Sequence, residues 1–250
     1  MPTNKLFGKP ITVINVGLES MARSLRDQGV PVTDVDWRPP VNDVPRFRVT
    51  RGGIDIDSVN EEVCRRIKRG VPVLVGMDIA SRVIPGMHER MIMHAGPPIT
   101  WERMCGPQRG AVMGALIYEG IAHDEVEAEQ IAAAGGVEFS PCHHHHAVGP
   151  MAGIISPSMP VFVLENTSFG NYSFCTQNEG LGKVLRYGGM GPEVYARLKW
   201  METDLYPTLD RALRTLPDGI DLRNLIAQAL HMGDECHNRN RAGTSLFLRT

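Results

Sequence analysis

No stretch of this 250-residue chain approaches the roughly 18 consecutive apolar residues that a membrane-spanning helix needs, so no membrane partner is expected. From Met1 to Lys9 no apolar stretch follows the lysines, and no targeting segment is expected there. Charge of one sign is missing too, because 26 Lys and Arg stand against 28 Asp and Glu, a net charge of −2. Such a chain has no broad basic face on which counterion release could hold a polyanion, which excludes nucleic acid as an expected partner. Cysteine is scarce: Cys64, Cys105, Cys142, Cys175 and Cys236 are odd in number, widely spaced and without a C-x-x-C pair. That excludes a disulfide framework and points to a reducing compartment, the cytoplasm. Internal repeats, low-complexity tracts and domain-scale charge blocks are lacking as well. With 42% hydrophobic residues, the chain can bury one substantial core, or a core and a small satellite, unaided.

What is present reads as mixed α/β. Ile11 to Val16 is β-rich, Gly17 opens a turn, and Leu18, Met21, Ala22 and Leu25 recur at helical spacing up to Gly29. Val30 to Val35 then gives a second strand, so residues 1–42 read as a βαβ, Rossmann-like unit. The turn has a single glycine and no G-x-G-x-x-G, and Glu19 would repel a phosphate, which favours a structural turn over a nucleotide site. Residues 43–190 read as a central α/β domain. Asp57 and Ser58 are expected to cap a helix through Val59, Val63 and Ile67, and Val71 to Val75 to form a strand. Gly76 to Pro107, dense in Gly, Pro, Met, His and Arg, reads as long site-forming loops. Arg109 to Ala122 is helical in pattern, and Asp124 caps a helix that Gly135 and Gly136 end. Val161 to Leu164 reads as a buried strand. Residues 191–250 read as a helical subdomain, with Val194, Leu198, Met201 and Leu205 on one face and Asp221 opening a last helix.

Five strings carry residues able to do chemistry. Cys142 is followed by His143, His144, His145 and His146, which in an extended segment would point alternately to opposite faces. Imidazole serves there as metal ligand, as general acid or base, or as donor to an anion, and a polar strand end satisfied by backbone is the plain alternative. His231, Glu235, Cys236 and His237 form a second cluster, with His231 and Glu235 at i, i+4 spacing, that could hold zinc. Neither cluster has the H-E-x-x-H spacing of a zinc protease, and Asp234, Glu235 and Arg239 could instead pair at a helix end. Thr100, Arg103 and Arg109 precede a helix and suit a phosphate, since guanidinium forks grip its oxygens in pairs; surface ion pairing is the alternative. Asn178 to Lys183 brings two glycines and a cation to a possible ligand. Val184 stands where a P-loop needs Ser or Thr, which disfavours ATP hydrolysis. Asn238, Arg239 and Asn240 could read a small planar acid or amide.

The strings VPRFRVTRGGIDID, HAGPPITWERMCGPQRGAVMGALIYEG, PCHHHHAVGPMAGIISPSMPV, NEGLGKVLRYGGMGPEV and LIAQALHMGDECHNRN together resemble the YlbE-like (AllG-type) family of domains of unknown function, over nearly the whole chain. The resemblance implies a subunit of oxamate carbamoyltransferase, acting beside an FdrA-type subunit and a third one. The implied reaction converts carbamoyl phosphate and oxamate to oxalurate and phosphate, reversibly, in the breakdown of allantoin nitrogen. It also implies a second half beyond Thr250, so that a site shared between halves would need that half or a partner. On this expectation Arg103 and Arg109 hold phosphate, and histidines among 143 to 146, with His237, polarise the carbamoyl carbonyl or move protons. Arg239 with Asn238 or Asn240 holds oxamate, and no cofactor is required. A zinc-dependent amide hydrolase in which His231, His237 and one of the central histidines hold the metal, and a non-catalytic scaffold binding an FdrA-like partner, are the alternatives.

Overall fold

A computed structural model describes residues 10–39, 49–50, 52–149, 153–177, 179–237 and 240–250. The chain divides into two units, residues 1–63 and 64–250. In the first, β1 (Val13–Val16), α1 (Glu19–Arg26) and β2 (Val32–Val35) follow one another, and the two strands pair in parallel from Val13 opposite Val32 to Val16 opposite Val35. Gly17 and Gly29, both at positive φ, turn the chain into and out of α1, a backbone region that costs glycine nothing. The sheet has two strands, so the pairing goes no further toward a Rossmann-like sheet among the described residues. Helix α2 (Ile56–Arg69) begins earlier than Asp57 and Ser58 suggest. Its cap is Asp55, whose Oδ1 accepts from the backbone N–H of Asp57 at 3.0 Å and of Ser58 at 3.3 Å; an extended aspartate just before the first turn is where orphan N–H groups are best met.

The second unit is mixed α/β. Strand β3 (Pro72–Ile79) outruns the five residues the sequence suggests, and the stretch to Pro107 also holds α3 (Ala80–Val83) and β4 (Met91–His94). The expectation of continuous loops there is corrected: all four residues of β4 are buried, and a run without alternation gives no strand signal. After a 3₁₀ turn (Trp101–Arg103) come α4 (Gly106–Tyr118), α5 (Glu125–Ala133) and β5 (Glu138–Pro141). Asp124 accepts from the Glu127 N–H at 2.8 Å while Glu127 accepts from the His123 N–H at 2.7 Å, a reciprocal cap. Next are a 3₁₀ turn at Cys142–His145, β6 (Ala147–Val148), β7 (Ile154–Ile155), β8 (Pro160–Asn166), β9 (Asn171–Thr176) and a 3₁₀ turn at Leu185–Tyr187. The chain closes with α6 (Pro192–Trp200), α7 (Tyr206–Leu213), β10 (Ile220–Asp221), α8 (Leu222–His231) and α9 (Arg241–Arg249).

These strands form a five-stranded sheet in the order β10-β3-β8-β9-β6 and a three-stranded sheet in the order β5-β4-β7. A bulge between Leu74 and Gly76 interrupts the antiparallel β3–β8 ladder. Just past it, Asp210 of α7 accepts from the Met77 N–H at 3.2 Å, which ties the helix to the sheet. Between α6 and α7 the helix widens to a π turn at Met201–Leu205, because Pro207 has no N–H to return to the preceding turn. Helix α4 runs through the largest core, with Ala111, Val112, Ala115 and Leu116 fully buried against Ile92, Val194 and Leu198. Its glycines set how closely its neighbour approaches: a Cβ on Gly110 would lie 2.6 Å from the Gly188 carbonyl oxygen. Among the described residues, no helix is long and apolar enough to cross a membrane.

Candidate functional site

A cavity in the second unit lies where the end of α4, β7, the start of β8, the end of β9 and the last turn of α6 meet. Its lining combines apolar side chains, among them Ile154, Met159, Leu198 and Met201, with the polar Tyr118, Gln177, Glu179 and Arg186. All the polar ones but Tyr118 come from the chain after β9. Glu179 uses both carboxylate oxygens on backbone, accepting from the N–H of Leu185 at 2.6 Å and of Arg186 at 3.0 Å. Arg197 reaches over from α6 and donates to the carbonyls of Glu179, Leu181 and Lys183 at 3.4, 3.3 and 3.2 Å. A carboxylate at one end and a guanidinium at the other thus hold the loop and fix the backbone of Arg186.

The side chains facing the cavity are incompletely partnered. Arg186 donates through Nη2 to the Gly180 carbonyl at 3.1 Å and lies 4.8 Å over the Tyr187 ring. Its Nε and Nη1 are buried and meet no hydrogen-bond partner among the described residues. Gln177 is 9% exposed; its Nε2 lies 3.9 Å from the Met77 sulfur, and its Oε1 is buried with no partner among the described residues. Each such atom costs about 1–3 kcal/mol when nothing replaces water, so two donors and one acceptor left open on one cavity require a reason. Tyr118 donates to Glu202 at 2.8 Å. Burial foremost, and then the Glu202 carboxylate, push its phenol well above the usual range, which keeps it a neutral donor.

A second buried polar group is His94, fully enclosed at the end of β4, with Nδ1 3.0 Å from the Ala95 carbonyl and Nε2 without a partner. Nearby in the fold, Cys142 follows β5, which pairs with β4 in parallel. Burial pushes the Cys142 thiol up to about 11, so it is a neutral, weakly nucleophilic group near neutral pH.

The residues named from sequence fall elsewhere; among the described ones, none lines this cavity. The histidine run is not extended. It forms a 3₁₀ turn that ends with His146 in the left-handed region at φ 56°, so alternation between two faces does not apply. His143 and His144 are exposed, their rings edge to face at 4.6 Å. His145 has both ring nitrogens engaged, with Ser140 Oγ and the Pro85 carbonyl each at 2.7 Å. Thr100 and Arg103 are exposed. Arg109 donates to the carbonyls of Trp101 at 3.1 Å and Glu102 at 2.8 Å and lies 5.2 Å over the Trp101 ring, which spends its fork on the turn before α4. Lys183 pairs with Glu193 at 3.2 Å. His231, Glu235, Cys236, His237 and Asn240 are exposed. Among the described residues no three His, Cys, Asp or Glu side chains are grouped to hold a metal ion, so the set His231, Cys236 and His237 is not assembled. Asn178, Asn238 and Arg239 lie outside the described residues.

Comparison with known proteins bears on the same region. Residues 137–250 match the family model described as oxamate carbamoyltransferase subunit AllG. The oxamate carbamoyltransferase subunit AllG of Escherichia coli (strain K12) is 45% identical over 195 residues, 78% of this chain and 46% of its own length. The chain belongs to the AllG-type family. The uncharacterized protein YahG of the same organism is 44% identical over 254 residues, 99% of this AllG-type chain and 54% of its own length. A crystal structure of a conserved protein of unknown function from Enterococcus faecalis V583 superposes with a TM-score of 0.76 at 52% identity, covering 78% of this chain and 46% of its own. The chain therefore spans about half the length of the curated relatives it matches. Gln177 and Arg186 were missed in the sequence: Gln177 immediately precedes the AllG-type string that begins at Asn178, and Arg186 lies within it. The one signal that could have found them is that they stand on either side of Gly180 and Gly182.

Proposed function

We propose that this chain acts within an oxamate carbamoyltransferase, joining carbamoyl phosphate and oxamate to give oxalurate and phosphate, and the reverse, together with FdrA-type and third subunits. The observation that carries the reading is the 45% identity to a curated oxamate carbamoyltransferase subunit. The buried guanidinium and carboxamide groups described above suit small planar anions and add support.

The chemistry asks for little beyond positioning. The amide nitrogen of oxamate attacks the carbamoyl carbon, the carbon–oxygen bond to phosphate breaks, and the nitrogen gives up a proton. Negative charge grows on the carbamoyl oxygen and on the departing phosphate, so preorganised donors supply most of the acceleration and a base about 10²–10⁴-fold. In the histidine run, His143 and His144 are exposed and suit a proton-transfer role, whereas His145 is engaged at both nitrogens. Arg103, exposed at the turn before α4, is the better phosphate ligand, because Arg109 already serves backbone carbonyls.

The test is phosphorolysis. Oxalurate and inorganic phosphate are incubated with the chain, with and without the partner subunits, and carbamoyl phosphate is measured. Its formation in the complete mixture, dependent on this chain, is expected; carbamoyl phosphate formed equally well without the chain contradicts the reading.

A further inference from the structure

We infer that the cavity beneath the loop from Gln177 to Tyr187 is a binding site for a small acid amide, with Arg186 taking the carboxylate and Gln177 Oε1 accepting from the amide N–H. The inference rests on the transferase reading only for the choice of oxamate as probe; the site itself follows from the groups that face it.

Those groups define the complement. Arg186 leaves two buried N–H-bearing nitrogens open, Nε and Nη1, and Gln177 leaves one buried acceptor open, Oε1. A ligand that satisfies all three carries an anionic acceptor at one end and an N–H donor at the other. Acid amides have that pattern. The apolar lining residues Ile154, Met159, Leu198 and Met201 suit the flat face of such a molecule, and a low local dielectric strengthens the polar contacts beside them.

Charge and size agree. The Glu179 carboxylate, which also lines the cavity, is taken up by two backbone N–H groups, and Glu202 accepts from Tyr118 and from Lys199 Nζ at 2.9 Å. Arg186 makes no ion pair with either among the described residues, so an incoming carboxylate need not displace one. The cavity volume is about 30 Å³, room for about two to three waters at ~10–15 Å³ each. That is the scale of the smallest acid amides and excludes nucleotides.

The experiment is titration calorimetry of the full chain against oxamate, pyruvate and oxamide, followed by R186K and Q177L. Pyruvate keeps the carboxylate and replaces the amide nitrogen by a methyl; oxamide keeps the amide and loses the charge. Oxamate is expected to bind tightest, with each analogue at least about tenfold weaker, since a buried group built to bond its ligand is left open. R186K is expected to weaken oxamate by about tenfold or more, because lysine is a point charge without the fork; Q177L is expected to erase the preference for oxamate over pyruvate. Thermal melts of both variants check folding, and if either fails to fold, the three-ligand series on the unmodified chain decides alone. Equal binding of pyruvate and oxamate, oxamate binding unchanged in folded R186K, or no binding of any of the three overturns the assignment. Oxamate binding that follows this pattern without any turnover of oxalurate defeats the transferase reading and leaves the site standing.

Discussion

Asp234 shows how much one side chain can hold in place. It is 4% exposed, and its two oxygens accept from the N–H groups of Cys236 at 2.8 Å and Gly243 at 3.0 Å. Burial works against its charge, but the N–H groups of Gly243, Cys236 and Ala242 outweigh that and hold the carboxyl below its usual range. A carboxyl depressed in the folded state contributes stability above its unfolded pKa of about 3.9 and loses it as pH falls through the lower folded value. D234N should therefore melt at lower temperature near neutrality and lose less on acidification below about pH 4. Parallel melting-temperature profiles for the two proteins across that range would refute the assignment. Residues of this kind are partly legible: spacing suggests that Asp234 pairs at a helix end, and among the described residues its partners there are backbone N–H groups. Arg186 was not legible. Nothing in a sequence separates an arginine with two buried nitrogens left open among the described residues from Arg109, whose fork closes on backbone carbonyls.

Among elements, those with strong local signals were read correctly. The Asp124 cap, the helix through Ala111 and Ala115, the strand at Val161 and the Asp221 cap all stand where spacing and capping chemistry put them. Elements that owe their form to tertiary context were missed. Strand β4 is buried on both faces and contains two methionines and a histidine, and the 3₁₀ turn at Cys142–His145 is fixed by the contacts of His145 with Ser140 and Pro85. The glycines of α4 offer an internal test. A Cβ at Gly110 would lie 2.6 Å from the Gly188 oxygen and 2.9 Å from its Cα, whereas one at Gly106, in the first turn of the same helix, meets nothing within 4 Å. G110A should destabilise by about 1–3 kcal/mol through overpacking. G106A should stabilise by about 0.4–1 kcal/mol by narrowing the unfolded ensemble. Urea midpoints moving in the same direction for both would show that helix propensity, not the contact with Gly188, governs this face.

At the scale of the molecule, the mixed α/β class was legible because strand-like and helix-like periods alternate along the chain. The candidate cavity was not, because its walls come from α4, β7, β8, β9 and α6, spread along the chain from Tyr118 to Met201. Family strings located the right neighbourhood at Asn178, and only the fold showed that Gln177 and Arg186 line the cavity. The chain spans about half the length of the curated relatives, and under the function proposed above the assembled complex is the proper object for kinetics. Steady-state rates of the complex carrying R186K, with oxamate and carbamoyl phosphate varied in turn, test the central claim most directly. The account predicts a KM for oxamate raised about tenfold or more with the KM for carbamoyl phosphate unchanged. An unchanged KM for oxamate, or a rise confined to carbamoyl phosphate, would contradict it.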